Sequence, residues 1–411
     1  MSLPPATRLL EGLRVLDFTR VLAGPYCTRL LADQGAEVIK VERPGEGDEI
    51  RYTVMQLDPA RSDQSTYYVR LNAGKRGIAV NLGHPESRAV LLDLARHCDV
   101  VVENFSPGVM ARYGLDAAAF EAVRPGLVHC SISGFGQTGP LASMQAYAHL
   151  INAISGMMDL DRCGDPTPRV SYLQAADVLA GAHAFGAICA ALVRRGRTGA
   201  GARLDVSMLE CLVAADDITY GAVLNGAPVQ RRARAGMIVH ELGGRHVALQ
   251  TVGAPHLWAR LSALIDREEL RTDPRFATPD GRREHWPALM ALIREWLDGF
   301  GSVEAAVSTL TGARVPAVPM LSPEEVVAHP HLAARDAFPS VPHPAHGPTR
   351  ITATPFHVDG APVAPAGPAP YRVGEHTRAV LAEVTGYDPA RIEALVTAGA
   401  VDGPEPGSGC V

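Results

Sequence analysis

The first 210 residues alternate between short β-branched runs and helix-like segments, and this rhythm constrains the fold more than any other feature of the 411-residue chain. Runs at 13–18, 36–41, 77–82, 99–103 and 127–132 have strand character. Helix-like stretches separate them, one of them opening at Pro85. Strands punctuated in this way predict an α/β fold, a doubly wound, Rossmann-like parallel sheet with helices on both faces. Ligands of such sheets sit at the carboxyl ends of the strands, so chemistry is expected just after each run.

Beyond residue 225 the pattern changes. A polar break at 230–234 precedes a β-like run at 246–252 and apolar-periodic helices around Trp258 and from 286 to 300. Residues 226–320 therefore read as a second, smaller domain. The stretch 316–372 is rich in Pro, His and Gly and reads as a long ordered crossing. Helical signal returns at 376–398, and the Gly/Pro/Ser-rich 403–411 reads as a flexible tail.

Composition narrows the function. Lys plus Arg number 38 against 44 Asp plus Glu, a net charge of −6, which argues against non-specific nucleic-acid binding. Only two residues are lysines, Lys40 and Lys75, so Schiff-base chemistry has two candidates. The seven cysteines are scattered with no C-x-x-C, which suits a reducing, cytoplasmic setting rather than a disulfide frame or zinc knuckle. The N-terminus lacks a basic-then-apolar signal pattern. The uncharged stretch 178–193 falls short of a bilayer span, so no membrane partner is expected and a buried helix is.

Candidate chemistry follows from position. Gly134-Phe135-Gly136-Gln137-Thr138-Gly139 matches G-x-G-x-x-G, but Pro140 follows at once and the motif trails the fifth strand. A dinucleotide site needs the motif to open a helix after the first strand, so a glycine turn or a loop lining another ligand suits it better. Asp177 precedes the longest apolar run, where an Asp most often caps a helix. A carboxylate there is also stabilised as an anion and available as a nucleophile. Arg43 lies past the second strand. Asn104, Phe105 and a helix start at Pro107 lie past the fourth, with Arg112 one turn on. Arginine, an aromatic ring and a helix N-terminus suit a phosphorylated adenine nucleotide, and solvated surface charge is the plain alternative for Arg43 and Arg112. His329, His331, His343 and His346 have no metal-site spacing and read as loop histidines.

Taken in order, segments 16–25, 35–45, 103–108, 133–140, Ala176-Asp177, 199–210 and 374–377 closely resemble the family III CoA-transferases, the CaiB/BaiF family. The resemblance covers nearly the whole chain. It implies a large domain built from both chain ends, a small domain from the middle, and two ring-like chains interlocked as a homodimer. The chain then divides into 1–225, the first part of the large CoA-binding domain; 226–320, the small α+β domain; 321–402, the crossing and return; and the tail 403–411. It also implies transfer of coenzyme A from an acyl-CoA donor to a carboxylic acid acceptor through an aspartyl-CoA thioester on Asp177. No metal and no nucleotide redox cofactor are called for. By the same match Val21, Arg43, Val80, Leu82, Asn104, Phe105 and Arg112 fall where the family binds CoA. Tyr147 falls beside the catalytic carboxylate, and Leu22 and His149 are further candidates at the substrate, His149 either polarising a carboxylate or simply packing.

Members that use formyl and oxalyl groups often carry Gln at the place of Leu22 and an acid at that of Ala148. A lysine near the CoA phosphates is replaced by Gly83, with His84 next to it, and Gly243-Gly244 is shorter than the family's run of four glycines. A larger or less polar acyl group is therefore expected. The rival reading is an α-methylacyl-CoA racemase-like proton exchange. There Tyr147 occupies the histidine position, and helical geometry would turn His149 about 200° away from it. A non-catalytic CoA-binding subunit is the third reading, against which the presence of Asp177 counts.

Overall fold

In the computed structural model, residues 8–162, 166–229, 236–250 and 255–404 are described. They form two compact units. One comprises Met1–Asp159, Arg169–Pro228 and Pro330–Val411, so it takes in both chain ends. The other comprises Leu160–Pro168 and Val229–His329, ending nine residues past the boundary read from the sequence.

The first unit is built on β1 (Arg14–Asp17), β2 (Glu37–Glu42), β3 (Arg76–Val80), β4 (Val100–Glu103), β5 (Val128–Ser133) and β6 (Ala202–Ser207). These run parallel in the order 3-2-1-4-5-6. The order reverses between β1 and β4, which opens a crevice beyond their carboxyl ends. Side chains alternate between faces, Leu16, Ile39 and Val101 entering one core and Val15, Val38, Val100 and Val102 the other. Both faces are covered, and that is why the strands read as continuous apolar runs.

Helices α1 (Ala23–Asp33), α2 (Thr66–Asn72), α3 (Ser87–Ala95), α4 (Val109–Arg112), α5 (Ala117–Val123), α6 (Ala148–Ile154), α7 (Met157–Asp161) and α8 (Ala175–Thr198) follow the strands. α8 is long and apolar enough to cross a membrane by length and composition alone. It is not the buried helix expected. Ala176, Ala180, Gly181, Ala184, Ile188 and Ala191 are buried, while Ala182, His183, Gly186, Ala190 and Val193 are exposed.

The second unit carries β7 (Met237–Leu242), β8 (Arg245–Gln250) and β9 (Ala317–Pro319) in an antiparallel sheet. Gly243 and Gly244, at φ +57° and +81°, form the two-residue turn between β7 and β8, a conformation that needs glycine. They are a hairpin turn, and the comparison with a four-glycine loop has no further support. Helices at Pro255–Ile265 and Trp286–Leu297 close a core around Leu261, Leu289 and Ile293.

The chain then rejoins the first unit. Hairpin β10 (Ser340–His343) and β11 (Gly347–Arg350) buries His343, which hydrogen-bonds Gln64 and meets Tyr371 edge-on. His346 bonds the Thr349 hydroxyl. His343 is thus a strand residue and His331 a helical one, not the loop histidines expected, while His346 lies in the turn; both His343 and His346 have packing roles. After β12 (His357–Val358) and β13 (Ala361–Pro362), β14 (Val401–Asp402) pairs antiparallel with β3. Thr377 accepts from the Ala79 N–H and donates to the Asp402 carbonyl, stitching the chain's end to that strand.

Candidate active site

The turn leaving β1 is held by buried charge. Lys40 Nζ, sealed from solvent, donates to the Thr19 carbonyl at 2.8 Å and to Asp48 at 2.9 Å. Asp48 in turn accepts the Val21 N–H at 3.2 Å. Val21 has φ +68°, a left-handed backbone that a β-branched residue adopts only under constraint. Beneath it Lys75 meets Asp17 at 3.0 Å and also bonds Thr28 and Asn72. Burial pushes Lys75 down to about 8 despite Asp17. Both lysines are thus enclosed in ion pairs, which removes them as Schiff-base candidates. The turn ends in α1, whose first residue, Ala23, presents a backbone N–H with no partner within its own helix.

That N–H faces Asp177 and favours its carboxylate form. Asp177 is not the cap of α8, as its sequence position suggested. Gln174 occupies the cap without a side-chain bond, and Asp177 is the third helical residue. Its carboxylate lies where the N-termini of α1 and α8 converge, and the backbone N–H groups of Ala23 and of Asp177 itself favour its charged form. One turn on, Gly181 lets the helices touch. A Cβ there would sit 2.5 Å from the Ala23 carbonyl oxygen and 3.0 Å from the Tyr26 ring. Burial pushes the Asp177 carboxyl up to about 6, against the pull of these N–H groups and of His149.

Two cavities meet at this place. The first, about 700 Å³, lies over the ends of β1, β2 and β3 and is lined by Arg43, Val80, Leu82, Phe105 and Tyr113 among others. The second, about 560 Å³, holds Asp177 with Val21, Asn104, Tyr147 and His149. Arg20, Glu49, Phe105 and Val109 line both, so the two are adjoining compartments of one crevice.

Most of the expected site residues thus converge, and four expectations change. Leu22 is 2% exposed and packs with Ile50, Tyr68 and Leu71, lining neither cavity. Arg112 is exposed on α4 and lines neither, although Val109 beside it lines both. The helix expected to open at Pro107 starts at Val109 and runs four residues, too short to serve as an anion site. Tyr147 precedes α6 in extended conformation, so the helical rotation that would separate it from His149 does not apply. The glycine loop at 134–139 opens no helix, and Gly134 lines the Asp177 cavity. Arg43 is exposed and paired with Glu46 at 2.9 Å.

Sequence reasoning missed Arg20, whose guanidinium lies 5.9 Å from the Phe105 ring and whose backbone is bonded twice to Asn104. Its place just after β1 was the available signal. It also missed Tyr67, which donates to Gln174 at 3.1 Å. Burial and then the charge of Asp177 push its phenol up to about 12. Nothing in a lone tyrosine on α2 marks it out in the sequence.

The model of CoA-transferase family III matches residues 10–377. The human succinyl-CoA:glutarate CoA-transferase is 32% identical over 96% of this chain and 90% of its own length. The formyl-CoA:oxalate CoA-transferase of Streptomyces avermitilis is 32% identical over 96% of this chain and all of its own. Among solved structures, a CaiB/BaiF family protein of Brucella suis superposes with a TM-score of 0.78 at 31% identity, covering 91% of this chain and 99% of that one. A hypothetical protein of Mycobacterium tuberculosis gives 0.78 at 28% identity, covering 90% and 98%. The chain belongs to CoA-transferase family III, and it is an enzyme that transfers coenzyme A.

Proposed function

We propose that Asp177 carries the transferred group, moving CoA from an acyl-CoA thioester to a free carboxylic acid. The observation that carries this reading is a carboxylate set in a cavity between two helix N-termini with no lysine or arginine paired to it among the described residues. Asp177 attacks the thioester carbonyl, the C–S bond breaks, and CoA thiolate leaves a mixed anhydride. The thiolate attacks the aspartyl carbonyl, releasing the donor acid and forming an aspartyl-CoA thioester. The acceptor carboxylate attacks that thioester, and the thiolate returns to the acceptor's carbonyl and frees Asp177. Each step exchanges one activated acyl group for another. The oxyanions formed on the way have the Ala23 and α8 N–H groups as candidate donors.

On this reading the larger cavity takes the nucleotide end of CoA, with Val80, Leu82 and Phe105 as its walls and Arg43 and Arg20 near the phosphates. Of the departures that favour a larger acid, Leu22 bears no weight, since it faces the core. Ala148 lines the Asp177 cavity and leaves room there. Two copies forming a homodimer would cover the exposed apolar side of α8, and scattered free thiols such as Cys27, Cys98 and Cys130 suit the cytoplasm.

The test is mass spectrometry of the protein incubated with mixed acyl-CoAs and candidate acids. A CoA adduct on the Asp177 peptide and new acid thioesters are expected; transfer that survives Asp177→Ala would sink the assignment. Proton exchange is the second reading, favoured by the shared cavity of His149 and Asp177. Deuterium incorporation alpha to the thioester, in D₂O without any acceptor acid, would establish it instead.

A further inference from the structure

We infer that His149 selects the acid, its imidazole holding the far carboxylate of a dicarboxylic substrate whose near carboxyl is the one exchanged on Asp177. The inference rests on the assignment of Asp177 as the group-carrying residue and adds the substrate class. Five charged or titratable side chains line the Asp177 cavity: Asp177, Tyr147, His149, Arg20 and Glu49. Arg20 and Glu49 also line the larger cavity, so they stand at the junction, on the path of CoA. His149 lines the Asp177 cavity and not the larger one.

Its side chain is exposed to this space, and its charge reaches Asp177 strongly enough to favour the carboxylate form. No hydrogen bond to its ring is formed among the described residues. An imidazole in either protonation state offers an N–H, and an incoming carboxylate would favour the doubly protonated form. The remaining wall joins apolar Ala23, Ile132, Met144, Ala148 and Met208 to uncharged polar Asn104, Ser133, Gln145 and Gln174. Such a compartment suits a short methylene chain with an acid at each end. Burying the second carboxylate in it without a donor would be costly, and His149 supplies the donor.

The loading half-reaction tests this without any acceptor. Full-length protein is mixed with glutaryl-CoA or with pentanoyl-CoA, which differ in the far carboxylate, and the rate of CoA adduct formation on the Asp177 peptide is followed by mass spectrometry. Wild type should load from glutaryl-CoA faster. His149→Ala should slow glutaryl loading by about 10–100-fold more than pentanoyl loading, the range of a charge-assisted hydrogen bond. His149→Gln, which keeps an N–H donor, should recover part of the difference. Equal slowing of both substrates, or a wild type that loads pentanoyl-CoA as well as glutaryl-CoA, would overturn the role of His149 while leaving Asp177 in place. Transfer with no adduct, surviving in Asp177→Ala, would instead remove the reading beneath it.

Discussion

Two aspartates a few residues from the same turn have opposite fates. Asp17, at the end of β1, is sealed from solvent. Burial pushes its carboxyl up, but Lys75, Lys40 and the hydroxyls of Thr19 and Thr28 outweigh this and hold it below the usual range. Asp177, on the cavity side, is also driven up by burial but is opposed, among the described residues, by backbone N–H groups and His149 alone, and reaches about 6. The difference teaches that withdrawal from water does not by itself make a reactive carboxylate. A buried acid clamped to ammonium groups is a poor nucleophile and a strong brace. One held by dipoles alone keeps its basicity and its access.

Exchanging the two environments is the way to break this contrast. The largest effect should come from Asp177→Asn, which should lower transfer by at least about 10³-fold. The same variant should raise Tm at pH 8. A folded-state pKa raised above the unfolded 3.8 means that the Asp177 contribution to stability is complete below pH 4 and is lost as pH rises through 6. The gain should be about 1–2 kcal/mol after discounting for partial solvent access, and calorimetry at pH 4 and pH 8 measures it.

Next, Lys40→Met leaves Asp48 buried without its cation and should cost about 3–5 kcal/mol in urea unfolding. Its surviving folded fraction should also transfer CoA more slowly, because Asp48 positions Val21 and the turn into Ala23. Gly181→Ala should lower kcat by about 10–100-fold, since its Cβ would press the Ala23 carbonyl and lift α8 from α1. A change in acyl-CoA Kd as large as the change in kcat would show that the helix contact does not act through Asp177.

The smallest effect sharpens the contrast. kcat/KM should fall about tenfold per pH unit below 6, as the carboxylate is protonated. His149, Tyr147, Tyr67, Glu49 and Arg20 are the other charged or titratable groups facing or adjoining Asp177. His149→Gln should therefore shift this limb upward, by removing a charge that favours the carboxylate.

Much of the sheet was legible because its strands are buried on both sides, and a run such as Val100–Glu103 has no other reading. β6 was not seen as a strand: it is an edge, and Arg203 and Asp205, alternating with Ala202, Leu204 and Val206, break up its apolar run. β7 was missed beside β8 for want of a longer run. In the site, Asp177, Phe105 and Asn104 were visible through ordered motifs. Leu22 was misplaced because a motif position does not tell which way a side chain points at a left-handed turn. Tyr67 and Gly181 act through packing between distant segments, which no local pattern encodes.

The enclosure of Lys40 and Lys75 has one more outcome. Thioesters and acid anhydrides acylate free amines without help from any catalyst, and a protein that handles them is its own nearest target. With the ε-ammonium of both lysines locked in the interior and every other long basic side chain an arginine, such chemical damage finds no lysine on the surface to modify.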